Sequence, residues 1–275
     1  FEQRIAAYCG IKYAVGVANA TDGLQLGLMA GGIEAGDEII ICSHTMIATA
    51  SAIHFAGAVP VPVEVGSDHT IDPDAIVGAI IPKKKAIMPT QLNGRIADMA
   101  AIQSIANQYG LDIYEDAAQA LGAKFQGQCA GTFGKCACIS FYPAKILGGL
   151  GDGGLVLTAD REIYNKLLLL RDHGCANDGD VTIWGFNSRL DNLQAAFLNF
   201  QFDNYEQVIT RRREIAAQYQ ELLEDVDQVH LPPDPDPNSD YFDVYQNYEI
   251  EAQKRDKLKT FLADNGIGTL IQWGG

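Results

Sequence analysis

Positive charge is scarce in this chain. Its 275 residues hold 20 lysines and arginines against 35 aspartates and glutamates, a formal charge of −15. Nucleic-acid binding needs a basic face that neutralises phosphates, so this balance argues against such a partner, while a local pocket for one small anion stays open. Long apolar runs are missing too. None reaches the ~18 residues that a membrane-crossing helix needs, and no signal-peptide pattern opens the chain, so no membrane partner and a cytoplasmic location are expected. The six cysteines (Cys9, Cys42, Cys129, Cys136, Cys138 and Cys175) contain no Cys-x-x-Cys pair, and no His or Cys partners recommend a metal site. They read as buried free thiols of a reducing compartment. Cys136 and Cys138 are two apart in an apolar run and would share one face of a strand. Closing elements are lacking at both ends. The chain opens inside a helix-like stretch, residues 1–8, and stops on the turn-like Ile271-Gln-Trp-Gly-Gly275, as a piece of a longer protein would.

What is present is apolar substance in a regular rhythm. The chain is 47% hydrophobic, enough for a sizeable core. Short, continuously apolar runs at residues 14–18, 38–42, 59–65, 86–89, 112–115, 137–141 and 155–158 read as strands covered on both faces. Helix-like segments at 23–30, 47–55 and 99–109 lie between them. This alternation predicts an α/β fold: a three-layer αβα large domain with a mainly parallel mixed sheet. Only a glycine-rich stretch, residues 142–154, separates the last two strands, which is compatible with an antiparallel member. A long helical region over 188–225 ends before the proline-rich residues 231–240. A strand at 244–251 and a helix at 254–265 then read as the start of a smaller α+β domain. The expected division is 1–225 for the large domain and 226–275 for an incomplete small one.

The chemistry concentrates in Ser140-Phe-Tyr-Pro-Ala-Lys145-Ile-Leu-Gly-Gly and in Tyr114-Glu-Asp116-Ala-Ala-Gln119. Lys145 and Asp116 sit at or just past strand ends, where ligands bind in sheets of this kind. A lysine able to form an imine and an aspartate able to face a pyridinium ring are the minimum equipment for pyridoxal 5'-phosphate. Such a lysine must lose its proton readily, through desolvation or nearby positive charge. Taken singly, each residue has a plainer reading: Lys145 as a surface loop lysine, Asp116 as a helix cap, Gln119 as a helix-surface residue. Thr21-Asp22-Gly23 opens a helix and offers N–H groups to a phosphate, to which Ser140 could add a hydroxyl; an ordinary N-cap is the plainer reading of Thr21. Gly149-Leu-Gly151-Asp-Gly-Gly154 matches a dinucleotide fingerprint literally, but a strand-like run follows it where a helix is required. His44, at a strand end, could face the cofactor ring. His173 reads as a helix C-terminus residue.

Further stretches, among them Ala20-Thr-Asp-Gly-Leu24, Gly36-Asp-Glu-Ile-Ile40, Ala48-Thr-Ala-Ser-Ala-Ile53, Gly151-Asp-Gly-Gly154 and Gly185-Phe-Asn-Ser-Arg189-Leu, complete a pattern. With it the chain resembles the DegT/DnrJ/EryC1/StrS family of pyridoxal-phosphate-dependent sugar aminotransferases, of the aspartate aminotransferase (fold type I) architecture. The resemblance implies that Lys145 is the Schiff-base lysine, Asp116 the pyridine-nitrogen partner and Gln119 the contact to the phenolic oxygen. It places Thr21, Asp22 and Ser140 at the phosphate. Asn187 would reach the phosphate of a neighbouring subunit's cofactor, which implies a homodimer with shared sites. Met46 stands where the family often has a ring-stacking aromatic residue, Gln91-Leu-Asn93-Gly94 where it has His-Leu-Tyr/Phe-Gly, and Leu121 where it often has His. The implied reaction is amino transfer from an amino acid, glutamate by expectation, to a keto-sugar, expected to be nucleotide-linked. Two alternatives stand beside it. One is a sugar dehydratase of the same family, against which Lys145 argues, because that branch carries His there. The other is a non-catalytic pyridoxal-phosphate-binding regulator.

Overall fold

The computed structural model describes residues 1–176 and 179–274; Gly275, last residue of the expected small domain, lies outside them. The chain runs α1 (Glu2–Cys9), β1 (Tyr13–Val17), α2 (Ala20–Ala30), β2 (Glu38–Cys42), α3 (Ile47–Phe55), β3 (Val59–Val63), α4 (Pro73–Ala79), β4 (Lys84–Met88), α5 (Met99–Tyr109) and β5 (Asp112–Asp116). It continues through the two-residue strands β6 (Lys124–Phe125) and β7 (Gln128–Cys129) to β8 (Cys136–Ser140), β9 (Gly154–Thr158), α6 (Arg161–Leu170), α7 (Asn192–Phe202) and α8 (Tyr205–Leu223). Last come β10 (Val229–His230), β11 (Tyr241–Phe242), β12 (Glu251–Ala252) and α9 (Arg255–Asp264).

Seven strands form one sheet in the order β1-β9-β8-β5-β4-β2-β3. All neighbours are parallel except β9, which runs antiparallel to both β1 and β8. The reason is local. The glycine-rich loop between β8 and β9 holds no helix, so the chain turns back beside the strand it has just left. The carboxyl ends of β1, β2, β4, β5 and β8 therefore meet at one edge of the sheet.

Successive side chains of a strand point to opposite faces, and both faces are covered. Ile40, Cys42, Ile87, Ile113 and Ile139 join Ile5 of α1, Ile102 of α5 and Ile209 of α8 in one core. Ile39, Ile41, Met88, Tyr114 and Val156 join Leu24 and Leu28 of α2, Ile53 of α3 and Leu167 of α6 in the other. Each fully buried side chain of this size contributes roughly 1.5–3 kcal/mol, which is why the run of isoleucines in β2 has no polar face. Cys136 and Cys138 both point at α2, where Gly27 and Gly23 leave room for their sulfurs.

Several expectations need correction. The helical region over 188–225 is two helices, α7 and α8, broken at Asp203-Asn204. Apolar periodicity runs through that break, and only the polar pair marks it. The strand expected at 244–251 does not form. Tyr245 has φ 51°, outside the strand region, and the N–H groups of Val244 and Gln246 donate to Gly94 and Asn93 instead of to a strand. No helix follows Asp116, so it is not a helix cap and Gln119 is not a helix-surface residue. Asn19, not Thr21, caps α2: its side chain accepts from the Asp22 N–H at 2.9 Å. His173 lies in a turn beyond the end of α6, with φ 57°, rather than in the helix's last turn.

Candidate active site

Asp116 ends β5 at the carboxyl edge of the sheet and is buried. Thr49, on the first turns of α3, donates its hydroxyl to Oδ2 at 2.6 Å, and the Ala118 N–H donates to Oδ1 at 3.2 Å. The Thr49 hydroxyl is itself 2.8 Å from the Thr45 hydroxyl, which lies 2.9 Å from that of Thr90. Thr49 alone bonds the carboxylate, and Thr45 and Thr90 extend a chain of hydroxyls behind it. Burial pushes the Asp116 carboxyl above its ordinary value, against the opposing pull of the Thr49 and Ala118 bonds and the Lys145 charge. Lys145 lies half-buried in the loop after β8. Burial moves its amine below the usual lysine value, against the opposing charge of Asp116. A lysine that gives up its proton more readily, facing a carboxylate it can sense, is equipped as a nucleophile and a proton carrier.

The start of α2 is pressed against the same edge. Gly154 opens β9 between Ser140 of β8 and Val17 of β1. A Cβ on Gly154 would lie 2.6 Å from the Asn19 carbonyl carbon and 2.8 Å from the Ala20 nitrogen. Only glycine lets the helix begin this close, and Ser140 stands one strand away. Asp22 accepts a 2.7 Å hydrogen bond from the Ser188 hydroxyl, which also accepts from the Ala18 N–H at 3.1 Å. Gly154→Ala is expected to destabilise the fold by about 1–3 kcal/mol, the usual cost of overpacking. Urea unfolding checks this, and an unchanged midpoint would mean that α2 retreats freely.

Further groups at this edge went unnoticed in the sequence. Glu115 is buried and accepts from the N–H groups of Gly131 (2.9 Å), Phe133 (2.7 Å) and Gly134 (3.2 Å) and from Gln91 Nε2 (2.8 Å). Burial raises its carboxyl and these four donors oppose the rise. Gln91 also accepts from the Ala97 N–H at 2.8 Å. Gln119 accepts the Asn93 N–H at 2.7 Å through Oε1. His44 lies at the end of β2, but its Nε2 is 3.0 Å from Glu249, on the segment between β11 and β12. Glu249 also accepts from Asn93 Nδ2 at 2.5 Å. Its carboxyl lies below the usual range: burial would raise it, but the His44 and Asn93 bonds and the two imidazoles of His44 and His69 prevail. Met46 precedes α3 and is half-exposed. Asn187 is exposed, its backbone bridged to Asp172. The structure therefore brings Asp116 and Lys145 within electrostatic reach of each other, holds Gln119 at the turn of Asn93, sets Ser140 across Gly154 from the start of α2 that carries Thr21 and Asp22, and leaves Asn187 exposed.

A mainly parallel seven-stranded sheet carrying a buried aspartate and a half-buried lysine at its carboxyl edge is the architecture of the α/β aminotransferases. A structure of S. venezuelae DesV in complex with a ketimine intermediate matches it with a TM-score of 0.95 at 40% identity, covering 99% of this chain and 73% of that one. The chain belongs to the DegT/DnrJ/EryC1/StrS aminotransferase family, whose model matches residues 1–274. It is 42% identical over 275 residues to a pleiotropic regulatory protein of Geobacillus stearothermophilus, spanning 99% of this chain and 73% of that protein. It is 42% identical over 277 residues to the dTDP-3-amino-3,4,6-trideoxy-alpha-D-glucose transaminase of Streptomyces venezuelae, spanning 99% and 72%. The chain is an aminotransferase, of a family whose aminotransferases depend on pyridoxal phosphate.

Proposed function

We propose that this aminotransferase moves an amino group from an amino acid, glutamate by expectation, to the ketone of a nucleotide-linked sugar, with pyridoxal 5'-phosphate held at the sheet edge. The pair Lys145 and Asp116 carries the reading. The Streptomyces relative's name, with its dTDP-linked amino sugar, supports the acceptor class.

The residues fit the cofactor. Among the described residues the buried Asp116 carboxylate is bonded by Thr49 and Ala118 and senses the charge of Lys145, and a pyridinium N–H would complete its set. Gln119 has its oxygen engaged by Asn93, which leaves its amide N–H to donate to a phenolic oxygen. Lys145 would hold the aldehyde. Thr21 and Ser140 would offer hydroxyls to the phosphate beside the start of α2, where Gly154 keeps the backbone close, and the Asp22 N–H would join them by exchanging its bond to Asn19. His44 and Met46 are the candidates for the ring face. The partner subunit's Asn187 would reach the same phosphate in a homodimer; Val181, Ile183 and Trp184 are exposed just before Asn187, as an interface segment would be. When bound, the cofactor supplies a conjugated ring that takes up the electron pair released as the donor's Cα–H bond breaks.

The chain's own residues move the protons. Neutral Lys145 Nζ takes the Cα proton of the donor, and in the second half it delivers one to the carbon that was the acceptor's ketone. One lysine serves both transfers because both substrates use the same spot in turn. Asp116 would stabilise a positive charge on the ring nitrogen when the cofactor is bound. Residues 1–225 serve as the cofactor domain and 226–275 as the start of a small domain. All six cysteines are free thiols, five of them buried, which supports a reducing, cytoplasmic setting, and no helix among the described residues is long and apolar enough to cross a membrane.

The loaded protein, given glutamate and 3-keto and 4-keto sugar nucleotides, is expected to form 2-oxoglutarate in step with an amino-sugar nucleotide by mass spectrometry. A deoxy-keto product would overturn the reading in favour of dehydration. No oxo acid with any keto sugar would favour a binding-only protein.

A further inference from the structure

We propose that Gln246 is a positioning residue for Lys145, its side-chain amide gripping the backbone on both sides of the lysine; this rests on the reading of Lys145 given above. Gln246 Nε2 donates to the Ala144 carbonyl at 2.9 Å, and its Oε1 accepts from the Ile146 N–H at 2.9 Å. The two partners dictate which end of the amide is which, since a carbonyl must meet the NH₂ and an N–H must meet the oxygen.

The rest of the loop is held away from the lysine, by the Gly149 N–H on the Phe141 carbonyl (2.8 Å), the Leu150 N–H on Gln194 (2.9 Å) and the buried Leu147. Residues 141–153 contain neither helix nor strand, and Pro143 has no N–H to give. The Lys145 N–H donates to the Tyr142 carbonyl at 2.8 Å. Among the described residues, no other group bonds the Ala144 carbonyl or the Ile146 N–H. An amide that pairs with both peptide groups flanking Lys145 restrains the dihedral angles on either side of its Cα. It thereby aims the Cα–Cβ bond, and with it the amine.

Gln246 is itself anchored. Its N–H donates to the Asn93 carbonyl at 2.8 Å, and Arg212 Nη1 donates to the carbonyls of Tyr245 (2.9 Å) and Gln246 (3.2 Å). Asn93 is the residue whose N–H holds Gln119. One short segment therefore sets Lys145 directly and Gln119 through Asn93. A glutamate at 246 could accept but not donate, and a methionine of similar length could do neither.

The test uses the loaded protein with Gln246→Met and Gln246→Glu, and amide hydrogen exchange on the same proteins freed of cofactor. Exchange at Ile146 is expected to quicken about five- to tenfold in Gln246→Met, as for the loss of one hydrogen bond. In Gln246→Glu it is expected to stay slow, because the acceptor remains. In both variants kcat is expected to fall by roughly 10- to 100-fold, with KM for the amino donor within about twofold, as misplacement of a catalytic group predicts. The pH midpoint of the cofactor's visible band is expected to rise in Gln246→Glu, where a new negative charge near Lys145 favours the protonated form of the nitrogen that links lysine and cofactor. Wild-type exchange and wild-type kcat in Gln246→Met would overturn the proposal. So would a rate loss accompanied by equally faster exchange throughout the protein, the mark of a merely structural role. Should Gln246→Met not fold, the kcat and midpoint of Gln246→Glu decide alone. If borohydride fails to fix cofactor on Lys145 of the wild type, the reading of Lys145 fails, while exchange at Ile146 still reports on the grip.

Discussion

Lys145→Ala is expected to lower turnover by at least about 10³-fold, within the 10²- to 10⁴-fold that a general acid–base group supplies, with the loss of the covalent anchor added. The variant should still take up pyridoxal phosphate through Asp116 and the start of α2, but borohydride should leave no label on the protein. Its thermal stability should hold or rise. Burial lowers the Lys145 amine, so the folded state disfavours the charge that alanine removes. Peptide mapping of the borohydride-treated wild type, beside turnover of the variant, checks the pair of outcomes; full turnover without Lys145 would falsify the mechanism.

The second large effect has opposite signs for rate and stability. Asp116→Asn is expected to cut turnover on the order of 10²- to 10³-fold, as when one preorganised electrostatic partner is lost. The cofactor-free fold should tolerate the change. Asparagine Oδ1 can accept the Ala118 N–H while its NH₂ donates to Thr49, whose hydroxyl then turns toward Thr45. The pH dependence follows from the direction of the shift. Burial raises the Asp116 carboxyl above its unfolded value, so the folded state binds the extra proton. The stability linked to Asp116 is then complete below the ordinary carboxylate range and is lost as pH rises through the folded value. Thermal unfolding of the cofactor-free wild type and variant across that range should diverge, with the variant equal or more stable at neutral pH. A variant that is less stable at every pH would mean that Asp116 serves the fold and not the ring nitrogen.

Much of the fold could be read from residue order. All seven sheet strands were expected within a few residues of where they form, because a strand buried on both faces must be apolar throughout and β2, with Glu38-Ile-Ile-Ile-Cys42, is hardly anything else. Helices α4 and α6 went unread, although Asp72-Pro73 and Asp160 are cap signals, each accepting a hydrogen bond from its helix's first turn. The strand expected at 244–251 fails for a different reason. Its composition suits a strand, but its backbone bonds go to the turn at Asn93 and Gly94.

The site divides the same way. Asp116 and Lys145 were found because each follows an apolar run, and chemistry at strand ends leaves a local trace. Thr49 had no such trace: a threonine in a helix is unremarkable until the helix is seen to lean on Asp116. Glu115 would pass for an exposed residue on charge alone, yet four donors hold it inside. Glu249 bonds His44 from 205 positions away, and Gln246 grips the lysine loop from 100 positions away.

Residue order by itself determined the layered α/β architecture, the family and the two central residues, because periodicity, turn chemistry and short motifs act over neighbours in the chain. Tertiary structure alone decided what surrounds them: the Thr49 hydroxyl on Asp116, the amide across Lys145 and the hold on Gln119. Those contacts depend on where separate loops meet in space, and hydrogen bonds between distant segments leave no periodic mark in a single sequence.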